Sequence, residues 1–196
     1  MDPNVILNRI VRLAKLDTTV FDEVRDDTNE LVPALIIAAI SSLLAGLGAW
    51  LFWELGDFAF IDNAFLNNFL LGGIFMAVMY GVWVLVTYVM LVQVYKASAD
   101  LQSLFRTMGY AAFPLALCVL MFIPLIYPVF ALVPIALTFV LTIYAAQSAT
   151  NADSRQVVMA NLAGLAVFTL VLGFVAFSGD SQPIGAGIFG ILWEQP

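Results

Sequence analysis

GYAAFPLALCVLMFIPLIYPVFALVP, residues 109–134, places four prolines in an otherwise apolar run, and how that run is divided decides the fold. From residue 108 to 149 the chain carries no charge for 42 residues. A bilayer core about 30 Å thick needs roughly 20 apolar helical residues, so this stretch is long enough for two spans. The cut falls at IPLIYP. Each proline there removes a backbone donor and disfavours helix in the residue before it, so Pro124 and Pro128 read as a tight turn between antiparallel helices. Pro114 and Pro134 then fall near the starts of the two helices and imply mild bends.

Working outward, residues 31–53, 68–95 and 157–177 supply three further apolar runs, which makes five spans with 108–123 and 129–149. Composition agrees: 63% of the 196 residues are hydrophobic and 11% are charged, far too little polar surface for a soluble domain of this size. The fold class expected is all-α, an integral membrane five-helix bundle preceded by a cytoplasmic segment at 1–30. A short external tail at 178–196, with an apolar stretch over 184–193, is expected to lie at the membrane interface. Arg9, Arg12 and Lys15 interrupt the first apolar stretch, which is not the pattern of a cleaved signal peptide.

Charge tests the count independently. With five spans, the N-terminal segment and the second and fourth connections share one side. All seven basic residues (Arg9, Arg12, Lys15, Arg25, Lys96, Arg106 and Arg155) fall there. The positive-inside rule then predicts a cytoplasmic N-terminus and an external C-terminus.

In NVILNRIVRLAKL, Asn4, Asn8, Arg12 and Lys15 recur at helical spacing with Arg9 beside them, while Ile6, Ile10 and Leu13 occupy the opposite face. A basic amphipathic helix beside membrane spans is expected to lie in the interface or against the protein's own surface. The following LDTTVFDEVRDDTNEL is acidic apart from Arg25 and predicts a second short helix presenting Val20, Phe21 and Val24. Ile6, Arg9, Ile10, Arg12, Leu13, Val20, Phe21 and Val24 are therefore the candidate partner or membrane contacts. The bland alternative is that the three apolar residues of the second helix pack back on the bundle.

Little here suggests chemistry. The chain has no histidine, which removes the usual general base and the commonest metal and tetrapyrrole ligand. Its single cysteine, Cys118, allows no internal disulfide. GDSQP at 179–183 has no base to serve a nucleophile and reads as a loop. No catalytic, metal or cofactor site is expected, and an acidic chain without a basic stripe does not suit nucleic acid. By these boundaries no ionisable residue lies within a span. Gln147 and Asn161, near facing ends of spans four and five, are the candidate interhelical polar contact. Small residues mark close helix approaches: Ala34, Ala38, Ser42, Ala45, Gly46 and Gly48 in span one, Gly72, Gly73 and Gly81 in span two, Gly164 and Gly173 in span five. Phe58, Phe60 and Phe65 interleave with Asp57 and Asp62 in the first external connection.

The order of features carries a family resemblance: an N-terminal stretch with TTVFDEVRDD, five spans, MGYAAFP opening span three, and a small polar connection before span five. It resembles the prokaryotic branch of the Yip-one (Ypt/Rab-interacting protein) domain family. Gly109, Tyr110 and Pro114 match that family's Gly-Tyr pair followed by proline, and Val20 with Phe21 match its apolar-plus-Phe pair. The resemblance implies five spans, a cytoplasmic N-terminus and no settled activity. Eukaryotic members are linked to Rab-type GTPases and vesicle traffic, but their DLYGP-like motif ahead of span one is absent here, which argues against GTPase binding.

The function expected is a non-enzymatic membrane scaffold or interaction protein, or an accessory subunit of a larger membrane complex, in a prokaryotic cytoplasmic membrane. Its partners would be membrane lipids and other membrane proteins or further copies of itself. The alternative is a small-solute transporter or channel, resting on the bent helices and on Gln147 and Asn161.

Overall fold

A computed structural model describes residues 3–56, 63–123, 125–178 and 184–191. Among these the chain is helical without strands. Five helices are long and apolar enough to cross a membrane: Thr28–Leu55, Phe65–Val94, Leu101–Phe122, Tyr127–Ser148 and Ser154–Ser178. Ahead of them stand α1 (Pro3–Ala14) and α2 (Val20–Asp26). The expected GDSQP loop, the Asp57–Phe58–Phe60–Asp62 cluster and Pro124 lie outside the described residues.

The chain packs as two compact units, one of Met1–Ala38, Gly81–Phe113 and Thr138–Val167, the other of Ala39–Tyr80, Pro114–Leu137 and Phe168–Pro196. All seven lysines and arginines belong to the first unit. There the second and fourth connections meet directly. Ser98 donates its N–H to Asn151 Oδ1 at 2.8 Å, and Thr150 donates its hydroxyl to the Ser98 carbonyl at 2.9 Å. An antiparallel bridge pairs Ala99 with Thr150.

The spans depart from the apolar runs where local chemistry intervenes. The first, α3 (Leu31–Leu55), follows a 3-10 turn at Thr28–Glu30 capped by Asp27, whose carboxylate accepts the Asn29 N–H at 2.9 Å. The second is α4 (Gly73–Val89) flanked by wider π-helical turns at Phe65–Gly72 and Met90–Val94.

The third begins seven residues before its apolar run. Asp100 caps α5 (Leu101–Ala111), its carboxylate taking the Ser103 N–H and hydroxyl, both at 2.8 Å. Those bonds, backbone first, hold the carboxyl below the usual aspartate range. The early start corrects the expectation that no ionisable residue lies within a span, because Arg106 sits in α5 and is 5% exposed. Pro114 lies mid-span rather than near its start. It has no N–H to give and its ring crowds the carbonyl four residues back, and from Phe113 to Phe122 the segment runs as a 3-10 helix.

Spans four and five are α6 (Tyr127–Ser148) and α7 (Ser154–Ser178). Pro128 falls in the first turn of α6, where a missing N–H costs little, and Pro134 lies inside the helix.

In the second unit, residues 184–191 differ from the surface-lying tail expected. Ala186 and Phe189 are buried, Phe189 sits edge-on to Phe168 with ring centroids 6.1 Å apart, and Trp53 Nε1 donates to the Gly190 carbonyl at 2.7 Å. Ten residues are too short to cross a membrane, but this stretch is small and apolar enough to fill a space among helices. Gly48 brings α3 against the third span. A Cβ at this position would collide with the Cys118 carbonyl and come within 2.8 Å of Val119 Cα.

Candidate functional site

The polar chemistry of the first unit gathers where α1 and α2 meet the ends of the spans. Helix α1 ends in a Schellman turn: Asp17 N–H bonds the Arg12 carbonyl at 3.0 Å and Leu16 N–H the Leu13 carbonyl at 2.9 Å. Leu16 takes the left-handed position usually given to glycine, with φ of 63°. The turn brings the α1 arginines over acids of the next segment. Arg12 reaches Asp17 and Glu23, each at 2.8 Å, and Thr19 at 3.0 Å.

Bonds from Thr19, and then the Arg12 guanidinium, hold the Asp17 carboxyl below the ordinary range. A lowered folded-state value means that the stabilisation from Asp17 is complete above the unfolded pKa near 3.9 and is lost as pH falls through the lower folded value. The Asp17 contribution to the α1–α2 corner is therefore expected to be complete at pH 5 and to be lost only below about pH 4. The titration of the Asp17 and Thr19 amide resonances in micelles measures this, and a midpoint at or above the ordinary aspartate value would contradict it.

Arg9 makes the deeper contact. Its side chain is 13% exposed and its guanidinium meets Glu30 Oε1 at 2.5 Å, while Tyr110 donates its hydroxyl to Glu30 Oε2 at 2.6 Å. One carboxylate thus ties α1, the entry of span one and α5 together. Two further arginines cap helix ends. Arg106 donates twice to the Arg25 carbonyl near the end of α2, at 2.6 and 3.0 Å. Arg25 donates to Ser148 O at the end of α6, at 2.8 Å, and grips Asp26 with two nitrogens. Cations at helix C-termini satisfy orphan carbonyls and suit the helix dipole.

The candidate contacts from the sequence separate into three groups. Leu13, Val20, Phe21 and Val24 are fully buried, and α2 packs on α5. That corrects their assignment as partner contacts, because their apolar faces are already covered by the chain itself. Arg9 and Arg12 are committed to carboxylates. Ile6 and Ile10 line an apolar groove, and Leu7, Val11 and Leu16 are exposed.

The Gly-Tyr…Pro motif becomes three separate devices. Gly109 lets α5 approach α3, since a Cβ there would lie 2.7 Å from Ala34 Cβ and 2.8 Å from its carbonyl oxygen. Tyr110 locks Glu30, and Pro114 begins the 3-10 half of the span.

Gln147 and Asn161 do not pair with each other. Facing residues of an antiparallel hairpin keep a nearly constant sum of positions, so 147 meets 154 and 161 meets 142. Gln147 bonds Ser154 Oγ. Asn161 accepts from Trp83 Nε1 at 2.8 Å and donates to Thr142 Oγ1 at 2.9 Å and the Phe139 carbonyl at 3.2 Å, joining α4, α6 and α7. Trp83, the third member of this lock, carried no sequence signal beyond its type: a buried indole needs an acceptor. Glu30 was likewise missed as a central residue, because its partners stand 21 and 80 positions away.

Among the described residues, no group of three His, Cys, Asp or Glu side chains is placed to hold a metal ion. The family model described as the Yip1 domain matches residues 17–177. No curated protein and no solved structure matches the chain.

Proposed function

The chain belongs to the Yip1 domain family of membrane proteins, and from that premise we propose that it is a non-enzymatic multi-pass scaffold or interaction protein. It works through its N-terminal module, alone or as an accessory subunit of a larger membrane complex. The observation that carries this reading is the state of α1. One face is locked by Arg9 to Glu30, and yet Leu7, Val11 and Leu16 remain exposed beside the ends of the spans. A helix held this firmly while offering apolar side chains suits a surface that meets something else.

Its basic residues all lie in one unit, which supports a cytoplasmic N-terminus under the positive-inside rule. The resemblance to the prokaryotic branch of the family is the ground for proposing a prokaryotic cytoplasmic membrane. Lipids and other membrane proteins, or further copies of the chain, are the proposed partners. The motif tied to GTPase binding in eukaryotic relatives is absent, and no nucleic-acid role is proposed. For a solute carrier, Asn161 and Gln147 were the residues to watch. Both spend their amides on neighbouring helices.

Crosslinking in native membranes followed by mild-detergent purification tests the reading. Discrete protein adducts on α1 are expected, reduced by Val11→Glu with Leu16→Glu. A monomer without protein adducts, or adducts indifferent to that pair, would overturn it.

A further inference from the structure

We propose that the groove between α1 and the start of α3 seats one acyl chain of a membrane phospholipid. Pro3, Ile6, Leu7 and Ile10 line one wall and Ile36 the other, around a volume of about 450 Å³. Every lining side chain is apolar, so water entering the groove would find no side chain to bond. Ile36 belongs to a face of α3 on which Val32, Leu35 and Ile40 are also exposed. On a membrane-crossing helix such a face is turned to hydrocarbon, and the groove is its continuation under α1. The polar stripe of α1 (Asn4, Asn8, Arg12 and Lys15) sets the helix at the level where headgroups give way to acyl chains. Arg9–Glu30 fixes the helix at that height, making the groove a built feature rather than a passing gap between loose elements. The inference rests on the proposed role of α1 as a contact surface with membrane lipids among its partners, and on the reading of α1 as a helix in the membrane interface.

The test uses the full chain in phosphatidylcholine vesicles carrying a trace of phospholipid with a diazirine midway along one acyl chain. After irradiation and digestion, label on residues 3–10 and on Ile36 is expected to exceed that on Leu170 and Phe174. Those two residues are openly exposed on α7 and are not among the residues that line this groove. Ile10→Trp and Ile36→Trp, which fill the groove from opposite walls, should each abolish the excess and leave Leu170 and Phe174 labelled as before. A misfolded variant reveals itself by a change at those two positions, and Leu7→Trp at the exposed rim then carries the test. Groove label no stronger than on α7, label that survives the tryptophans, or a crosslinked second copy seated there would overturn the proposal. Label on Val11 and Leu16 without excess in the groove would sink the site alone. No label anywhere on α1 would also remove the membrane-surface position beneath it.

Discussion

Gly48→Ala is expected to destabilise the protein by about 3 kcal/mol or more, at the upper end of what overpacking costs. The added methyl would collide with the Cys118 carbonyl and press on Val119 Cα, both of them backbone. Flexible side chains can yield a few tenths of an ångström, whereas two helix backbones yield only by separating. That separation would also disturb residues 184–191, since Gly187 lies near Cys118 and Ala45. Gly173→Ala is the matched control. Among the described residues nothing lies within 4 Å of a Cβ there, and the gain in helix propensity, up to about 1 kcal/mol, should leave stability unchanged or slightly higher. Thermal unfolding in detergent, followed by size-exclusion fluorescence, reads both. Equal shifts for the two variants would mean that the close approach at Gly48 has no energetic weight.

Glu30→Ala should undock α1 while the spans stay folded. The substitution leaves the largely buried Arg9 guanidinium without its close carboxylate, beside the Tyr110 hydroxyl and 3.7 Å from Glu23, and it strips Tyr110 of its acceptor. Breaking one side of a buried pair costs about 3–5 kcal/mol, mostly because the remaining charge is uncompensated. Amide exchange along α1 should therefore accelerate by roughly two orders of magnitude or more, at about 1.4 kcal/mol per tenfold. Asp26→Ala removes an ion pair whose carboxylate is 70% exposed, and should leave amide exchange in α2 nearly unchanged. If both variants behave alike, burial is not what gives the Arg9–Glu30 pair its weight.

These two sites differ in how far they could be read from the chain. Gly48 belonged to a small-residue stripe legible as a close approach, but the stripe does not say which glycine meets backbone and which meets open space. Gly173 carried the same signal, and among the described residues no neighbour lies within 4 Å of a Cβ there. Arg9 was legible as part of a basic helix, and Glu30 only as one acid among several. Their pairing depends on α1 folding back through the Leu16 turn, a leucine in a position where composition would lead one to expect glycine. Val20, Phe21 and Val24 were correctly placed on one helix face, but periodicity says only that a face is apolar, not whether the chain's own α5 or another molecule covers it.

By itself, the sequence determined the all-helical class, the five candidate spans and the gathering of every basic residue in one group of segments. These follow from the length of apolar runs, from proline and from charge, all of which act locally along the chain. Only the tertiary structure decided the rest: that Arg106 reaches the Arg25 carbonyl, that Asn161 takes Trp83 and Thr142 rather than Gln147, that residues 184–191 turn inward, and that a groove remains between α1 and Ile36. Each of those is a contact between residues far apart in the chain or a choice among chemically equivalent partners. Helix register and backbone proximity make that choice, and neither is written in any single segment.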